Sequence, residues 1–440
     1  MLDRMALAGI RQFAVRLSKN RLLRGFGALG LGELFVRVTR LVTAVILARS
    51  LGAAEFGLAA TAIASFELVR VLGNNGIEQM ILRAPDERLA ATCNTAYRIT
   101  LALCAVMAVV QLGVGAGLAW KTNRPELFGM SACLAGSFCF LPWGMVQSCL
   151  LQRDYRLGVI AGINALQVGS DNLATAVLAA MGFGAWSIVI PRMISTPLWL
   201  VAVRWTKRWQ REPGKGGIPL REVARFALPI LASEALLAVR FNADKFLVGA
   251  LLGLEALGIY YFAFSAGYGL SLVLTSALAS ATLPHLSDHR IGSRELLVRL
   301  DKALLGLALP ISGLIVLQSL AVFYYVPLLF GAKWASVTGI VAVLCLSAAT
   351  KPWHDLAVQS LRAAGMTGYE LIAASVFTAV FLGFLTLGLT YGLLAGVAML
   401  SATTIVMQLL FAAWARRLIV RRATRAEHAP VPYSTSVSAA

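Results

Sequence analysis

Three charged residues, Glu33, Arg37 and Arg40, lie inside an apolar run that extends from residue 26 to residue 48. At about 100° per residue, they share one face of a helix. A charge at the centre of a membrane helix costs about 2.5–3.5 kcal/mol, so three charges offset most of the gain from the surrounding apolar side chains. This face must therefore contact protein or water, as in a packed salt bridge or in the wall of a polar translocation cavity.

The predicted seventh helix carries a second group of charges. Glu234 and Lys245 share one of its faces, and Arg240 and Asp244 are spaced four residues apart on another, where a structural clamp and a functional pair are equally expected. Further charges inside apolar segments are Arg70 with Glu67, Arg98, Asp171, Arg192, and Lys351 with Asp355. For Arg98, Arg192 and Lys351, near helix ends, the favoured interpretation is a side chain that snorkels to the membrane interface.

No motif for covalent or metal chemistry accompanies these charges. The sequence has no Walker loop, no GxSxG, no HExxH and no paired-carboxylate loop in a sizeable soluble segment. Its six cysteines show neither CxxC nor Cys/His metal spacing, so they are expected to pack as small apolar residues. The sequence therefore contains no motif that indicates an enzyme, and we expect neither a metal nor a cofactor.

The composition is typical of a membrane protein. Hydrophobic residues make up 58% and charged residues 14% of the chain, against about 45–50% and about 25% in average soluble proteins. Apolar runs of about 20 residues predict an all-α integral membrane protein with twelve transmembrane helices. The predicted spans are 26–48, 56–72, 93–119, 127–150, 157–180, 184–203, 226–251, 257–283, 303–328, 336–358, 369–391 and 393–415.

The positive charges are distributed unevenly between the predicted loops. With both termini placed in the cytoplasm, 27 of the 39 Lys and Arg residues lie in cytoplasmic segments, 4 lie outside and 8 lie within helices. This distribution follows the positive-inside rule and favours an even number of helices. The net charge of +18 therefore reflects membrane topology, and no basic surface with aromatic platforms predicts nucleic-acid binding.

An internal repeat divides the helices into two halves. Residues 51–57, LGAAEFG, recur as residues 252–258, LGLEALG, at an offset of 201, and the same offset relates Glu33 to Glu234. Six helices per copy give both halves the same orientation in the membrane. The predicted segments are a basic cytoplasmic N-terminus (1–25), an N-terminal six-helix bundle (26–203), a cytoplasmic linker rich in Pro and Gly (204–225), a C-terminal six-helix bundle (226–415) and a disordered cytoplasmic tail (416–440).

Parts of both halves resemble a known family. Residues 40–43 and 46–52, followed by EFG at 55–57, resemble the opening pattern of bacterial polysaccharide transporters, and FNADK at 241–245 with LG at 252–253 resembles their seventh and eighth helices. These proteins are the Wzx-type flippases of the multidrug/oligosaccharidyl-lipid/polysaccharide exporter superfamily, and the resemblance covers nearly all of residues 26–415. Asn75 departs from the pattern, since an acidic residue commonly precedes the glycine at position 76.

This resemblance implies a flippase that moves an undecaprenyl-pyrophosphate-linked oligosaccharide from the cytoplasmic to the periplasmic leaflet by alternating access. Its product would serve assembly of O-antigen, capsule or exopolysaccharide in the bacterial inner membrane, with membrane lipids, glycosyltransferases and a polymerase as partners. A pyrophosphate and a sugar chain cannot cross hydrocarbon unaided, so a central cationic cavity is expected between the two bundles. Arginine suits pyrophosphate because its planar fork donates two parallel hydrogen bonds.

The resemblance implies that the charged residues inside the apolar segments are candidate site residues. We expect pyrophosphate or sugar to contact Arg37, Arg40, Arg240, Lys245, Arg70, Arg98 and Lys351. Coupling to H⁺ or Na⁺ is expected at Glu33, Glu234 or Asp244, although a carboxylate paired with arginine would titrate at too low a pH for easy proton coupling.

Two other functional classes are weighed against the flippase. A drug or small-molecule antiporter of the same superfamily would be expected to have an acidic or apolar cavity, which the surplus of buried Arg and Lys disfavours. A membrane-embedded glycosyltransferase or ligase would need a large catalytic loop, whereas the longest internal loop here is the linker of about twenty residues.

Overall fold

The computed structural model describes residues 21–212, 214, 216–269, 271, 272, 275, 293–363 and 366–427. These residues contain helices and no strand. The predicted segment before residue 21 and the tail after residue 427 lie outside the described residues. The chain divides into two compact units, one ending at Tyr261 and the other beginning at Phe262.

The first unit is built from helices that follow one another through short turns. Their bounds are α1 (Arg21–Ser50), α2 (Ala53–Arg70), α3 (Ile77–Arg83), α4 (Asp86–Thr122), α5 (Glu126–Phe138), α6 (Pro142–Arg153), α7 (Leu157–Ala180), α8 (Trp186–Thr206) and α9 (Leu220–Ala263). Pro142 begins α6, and α5 and α6 meet at a bend of 50°. Between Thr206 and Leu220 the described residues form no α-helix, as the Pro and Gly content predicts.

The described part of the second unit consists of α-helices, several of which are joined by π-helical and 3₁₀ turns. Its helices are α10 (Ser293–Ala303), α11 (Leu309–Tyr325), α12 (Thr338–Ser347), α13 (Lys351–Ala363), α14 (Thr367–Leu389) and α15 (Leu393–Glu427). Helix α15 continues past residue 415, where the last predicted span ends. A core of Leu300, Leu356 and Ile419 joins α10, α13 and α15.

Eight helical stretches of the described residues are long and apolar enough to cross a membrane, or nine if the bent pair α5 and α6 forms one span. Helices α1 and α7 coincide with predicted spans but are not among these. The prediction of an all-α membrane protein is confirmed, whereas the count of twelve spans stays a prediction.

The core of the first unit lies between α2, α4, α5 and α8. Small residues of α2, among them Ala59 and Ala62, are fully buried and allow Leu134 and Val189 of neighbouring helices to approach closely. Phe66 and Phe138 stack with ring centroids 5.0 Å apart. This packing fixes the end of α2, where Glu67 and Arg70 lie.

The two copies of the sequence repeat pack against each other within the first unit. A side chain at Gly57 would overlap the carbonyl oxygen of Leu254, and a side chain at Gly258 would overlap that of Ala53. Gly57 and Gly258, like Ala53 and Leu254, occupy equivalent positions of the repeat, so the contact is reciprocal. Gly253 has φ of +86°, a conformation that favours glycine, and it bends α9 at the second copy.

Candidate functional site

Helix α1 is held against α7 by small residues and by a polar contact at its middle. Gly169 of α7 leaves room for the Phe35 ring, and a side chain there would overlap it. The Asn172 side-chain amide donates to Thr39 Oγ1 at 3.1 Å, and the Thr43 hydroxyl donates to the Asn172 carbonyl at 2.8 Å. Because Arg40 follows Thr39 and Asp171 precedes Asn172, this contact brings the guanidinium of α1 close to the carboxylate of α7.

Five charged side chains of the first unit come together and are called here the charge cluster. Its members are Arg40 of α1, Glu67 and Arg70 of α2, Asp171 of α7 and Arg192 of α8. Arg192 lies between two acids, with Nε 3.4 Å from Asp171 Oδ2 and Nη1 3.8 Å from Glu67 Oε1. Arg70 contacts Glu67 at 2.7 Å, and Arg40 interacts electrostatically with Asp171.

The charge cluster carries a net positive charge. Three arginines face two carboxylates, which leaves one net positive charge. At 1.5 Å per residue, Arg40 lies about 15 Å from the end of α1 at Ser50. The side chains of Arg70 and Arg192 remain 54% and 41% exposed, so their free N–H groups are accessible to an anion.

A tyrosine of α9 also belongs to the surroundings of the charge cluster. Tyr261 lies near enough to Arg40, Arg192 and Glu67 for their charges to act on its hydroxyl group. Its hydroxyl adds a hydrogen-bonding group of the kind that sugars and phosphates accept. The cluster therefore draws side chains from α1, α2, α7, α8 and the end of α9.

The charged residues predicted to share one face of α1 differ in their exposure. Arg40 is exposed, and Arg37, one turn earlier, is half-buried. The side chain of Glu33 lies outside the described part of the chain, so its predicted pairing with Arg37 stays a prediction.

Helix α9 places its predicted charges at two locations. Glu234 is half-buried, and its Oε2 lies 3.5 Å from the side-chain nitrogen of Asn74, in the turn between α2 and α3. Asp244 is buried; it accepts a hydrogen bond of 2.6 Å from the Tyr260 hydroxyl and lies 3.5 Å from Lys245 Nζ. Because Tyr260 follows the bend at Gly253, this hydrogen bond holds the two arms of α9 together, which favours a structural role for Asp244.

The predicted clamp between Arg240 and Asp244 is not described, because the side chain of Arg240 lies outside the described part of the chain. Arg98, on α4, is exposed and makes no ion pair within the described residues. Lys351 and Asp355 of α13 form an ion pair with Nζ–Oδ distances of 2.8 and 2.9 Å, and His354 Nδ1 lies 3.5 Å from the same carboxylate. The described residues hold no group of acidic, His or Cys side chains suited to a metal ion.

The ion pair of α13 leads to a prediction. The Lys351→Met variant is expected to lower protein abundance, because Asp355 loses its close cation while its own side chain is only 18% exposed. The expected loss in the free energy of unfolding is about 2–3 kcal/mol, less than for a fully buried pair. The Lys351→Met/Asp355→Leu double variant is expected to recover both abundance and export, measured by membrane immunoblot and surface polysaccharide. Recovered abundance without export would instead assign Lys351 to substrate binding, as the sequence predicts.

Sequence reasoning placed Arg37, Arg40 and Arg70 among the site residues but missed Arg192 and Asp171. Arg192 was expected to snorkel, which stays a prediction; in the structure its guanidinium contacts Glu67 and Asp171. Asn172 and Tyr261 were missed as well. A signal for the α7 pair existed in the adjacent polar residues Asp171 and Asn172 within an otherwise apolar helix.

Comparison with known proteins gives a family match and two distant relatives. The model of a family described as polysaccharide biosynthesis protein matches residues 46–339. The succinoglycan biosynthesis transport protein ExoT of Rhizobium meliloti (strain 1021) is 23% identical over 314 residues, and the lipopolysaccharide biosynthesis protein WzxC of Escherichia coli (strain K12) is 22% identical over the same length. Each alignment covers 70% of this chain and 62% of the relative, so less than two thirds of either relative is matched.

Solved structures of transporters share the fold. The inward closed conformation of the lipid II flippase MurJ superposes with a TM-score of 0.69 at 14% identity, covering 90% of each chain. An inward-facing multidrug resistance MATE transporter of the MOP superfamily superposes with a TM-score of 0.67 at 16% identity, covering 87% of this chain and 94% of that one. The fold expected from the sequence is therefore confirmed, while the central cationic cavity stays a prediction.

Proposed function

We propose that this chain, which belongs to the family of polysaccharide biosynthesis proteins, is a flippase for a lipid-linked oligosaccharide repeat unit. It would carry an undecaprenyl-pyrophosphate-linked glycan from the cytoplasmic to the periplasmic leaflet for assembly of a surface polysaccharide. Support comes from the family match, from two relatives named for succinoglycan transport and lipopolysaccharide biosynthesis, and from a fold shared with a lipid II flippase.

The observation that carries the proposal is the net positive charge of the cluster, which we place within the hydrocarbon layer because Arg40 lies about 15 Å from the end of α1. A pyrophosphate loses its hydration when it leaves water, and only donors of matching charge and geometry can replace that hydration. Arg40, Arg70 and Arg192 offer such donors, and the two carboxylates hold the arginines in place without cancelling their charge. Tyr261 would contact the phosphate oxygens or the first sugar.

The other predicted cations are assigned secondary roles. Arg37, one turn from Arg40, and Lys245, on α9, would line the path of the anionic headgroup, together with Arg98 and Arg240. Lys351 is assigned to its ion pair with Asp355. Among the carboxylates proposed for H⁺ or Na⁺ coupling, Glu33, Glu234 and Asp244, we favour Glu234, because its described contact is a neutral amide and Asp244 is bonded to Tyr260.

The second candidate function is a cation-coupled drug or small-molecule antiporter, which is consistent with the fold shared with a MATE transporter. A net positive cluster attracts a pyrophosphate, whereas an acidic or apolar cavity is expected for such an antiporter. We therefore place the anionic substrate first. The proposal includes a location in the bacterial inner membrane, both termini in the cytoplasm, and glycosyltransferases and a polymerase as pathway partners.

Deletion of the gene tests this function. Completed lipid-linked repeat units are expected to accumulate on the cytoplasmic leaflet while their synthesis continues, because assembly precedes transport. The measurement is mass spectrometry of extracted lipid-linked glycans, combined with their accessibility to a periplasmic ligase or glycosidase. Shortened glycans would instead identify an enzyme of assembly, and normal surface polysaccharide with lost drug resistance would identify an antiporter.

A further inference from the structure

The described residues between α8 and α9, which are 207–212, 214 and 216–219 and are called here the strap, are fastened to α4. Asn94 of α4 is 2% exposed, and its side chain bonds to the strap backbone in both directions. Its amide nitrogen donates to the Glu212 and Gly216 carbonyls at 2.7 and 3.3 Å, and its oxygen accepts from the Glu212 N–H at 3.2 Å. A single buried side chain thus holds the backbone of both Glu212 and Gly216.

Neighbouring residues of α4 complete this attachment. Thr95 Oγ1 accepts a hydrogen bond of 2.8 Å from the Ile218 N–H. Trp209 of the strap lies beside Tyr97, with ring centroids 5.8 Å apart. These contacts hold the strap against α4 at residues 209, 212, 216 and 218, so Arg208 and Arg211 are carried on a backbone that is fixed beside them.

The strap lies at an end of the first unit where acidic residues already have cationic partners. Asp86 pairs with Arg153 at 2.5 Å, Asp154 with Lys207 at 2.6 Å, and Glu222 lies 3.9 Å from Arg88. Exposed arginines at this end that form no ion pair within the described part of the chain are Arg83, Arg156, Arg204, Arg208, Arg211, Arg221 and Arg225. These seven arginines, called here the arginine surface, carry more positive charge than Glu87 and Glu212, the remaining acids at this end, can neutralise.

Large apolar side chains are exposed among these arginines. Tyr155, Trp205 and Leu220 are 88%, 87% and 69% exposed, and each is adjacent in sequence to an arginine of the surface. Aromatic residues beside basic residues are typical of the membrane interface, where the ring lies at the level of the lipid glycerol and the cation reaches the phosphate. An acidic protein partner would account for the arginines but not for aromatic and aliphatic side chains exposed beside them.

We propose that the strap and the adjoining helix ends form a preorganised binding surface for the headgroups of anionic phospholipids. Asn94 and Thr95 act as positioning residues, because they fix the backbone that presents Arg208 and Arg211. Each arginine that reaches an anionic surface contributes about fivefold to lipid affinity. This surface is separate from the charge cluster, and the proposal does not depend on which substrate the protein carries.

The test compares lipid retention by the full-length protein in nanodiscs of phosphatidylglycerol and phosphatidylcholine, read by native mass spectrometry. Phosphatidylglycerol is expected to be retained preferentially, and the Arg208→Gln/Arg211→Gln variant is expected to lower its affinity by roughly 25-fold. The matched control is Lys121→Gln/Arg124→Gln, which removes two exposed cations at the α4–α5 turn and is expected to leave retention unchanged. Equal losses in both variants, or no preference in the unmodified protein, would overturn the proposal.

Two further measurements test the positioning role of Asn94 and Thr95 and the identity of the bound ligand. Asn94→Ala, or Thr95→Val should the first variant fail to fold, keeps every arginine of the surface and is expected to weaken retention by releasing the strap. Unchanged retention in a folded variant would refute the preorganisation. Excess inorganic pyrophosphate is expected not to displace phosphatidylglycerol, whereas displacement would identify a site for the phosphate groups of a substrate and would contradict a phospholipid surface.

Discussion

Alanine at Gly57 or at Gly258 is expected to destabilise the protein by at least the roughly 1–3 kcal/mol that overpacking costs in a filled core. The added carbon would overlap a backbone carbonyl oxygen, Leu254 in one case and Ala53 in the other, and a backbone atom cannot move aside as a flexible side chain can. The helices must therefore separate. Thermal unfolding of purified protein and abundance in membranes measure the effect, which should be larger still for valine.

Gly113→Ala and Gly117→Ala are the matched controls. Both glycines lie in α4, and no atom outside their own helix backbone lies within 4 Å of the added carbon. Alanine there is expected to be neutral or stabilising, because it favours the helix over the unfolded chain. If Gly57→Ala unfolds at the same temperature as these controls, the reciprocal crossing of the repeats is wrong.

The double variant Gly57→Ala/Gly258→Ala gives a sharper result. Both single changes push apart the same pair of backbone segments, so the second should cost less once the first is present. A double variant that loses as much stability as the two single variants together would indicate two independent sites. Such additivity would contradict a shared contact between the two copies of the repeat.

The reciprocal crossing illustrates what the sequence could and could not predict about the fold. Residues 51–57 and 252–258 were recognisable as copies of one pattern, and their glycines predicted tight turns. Their mutual contact was not predictable, because an offset of 201 residues gives no information on whether the copies meet. Hydropathy likewise predicted an all-α chain, but it did not predict the short helix α3 or the bend between α5 and α6, and much of the predicted span 257–283 lies outside the described residues. It also could not reveal that Asn94 bonds to a strap more than a hundred residues later.

The charge cluster shows the same limit at the candidate site. Spacing along one helix placed Glu33, Arg37 and Arg40 on one face, since this relation is local. The partners of Arg192 come from α2 and α7, and no periodicity within α8 could identify them. A charged residue a few positions from a helix end was therefore interpreted as snorkelling, although a tertiary contact holds it.

Loss of Arg40 is expected to reduce export by about 10- to 100-fold while abundance stays near normal, as the roughly 1.5–3 kcal/mol of a hydrogen bond to a charged group implies. Arg40 is exposed and Asp171 keeps Arg192, so Arg40→Gln leaves no carboxylate alone. Arg40→Lys should restore export only in part, because an ammonium lacks the bidentate fork. Arg124→Gln provides the control: it removes an exposed cation at the α4–α5 turn that has no assigned part in substrate binding.

Arg192 requires a different design, because its removal leaves Asp171 and Glu67 with less compensation. Arg192→Gln alone is expected to lower abundance as well as export. The Arg192→Gln/Asp171→Asn double variant removes one charge of each sign and is expected to recover abundance, since Glu67 still contacts Arg70 at 2.7 Å. Export is expected to stay low in this variant if Arg192 binds the pyrophosphate.

A single and a double variant also distinguish the two possible roles of Arg37. If it binds pyrophosphate, Arg37→Ala should abolish export at near-normal abundance, and Glu33→Gln/Arg37→Ala should not restore it. Recovered export in that double variant would assign Arg37 to a structural pair with Glu33, because removing both charges can restore stability but cannot replace a missing anion ligand. Recovery in the Arg192→Gln/Asp171→Asn variant as well would remove the cationic cluster as the substrate site, and the drug antiporter would then become the stronger hypothesis.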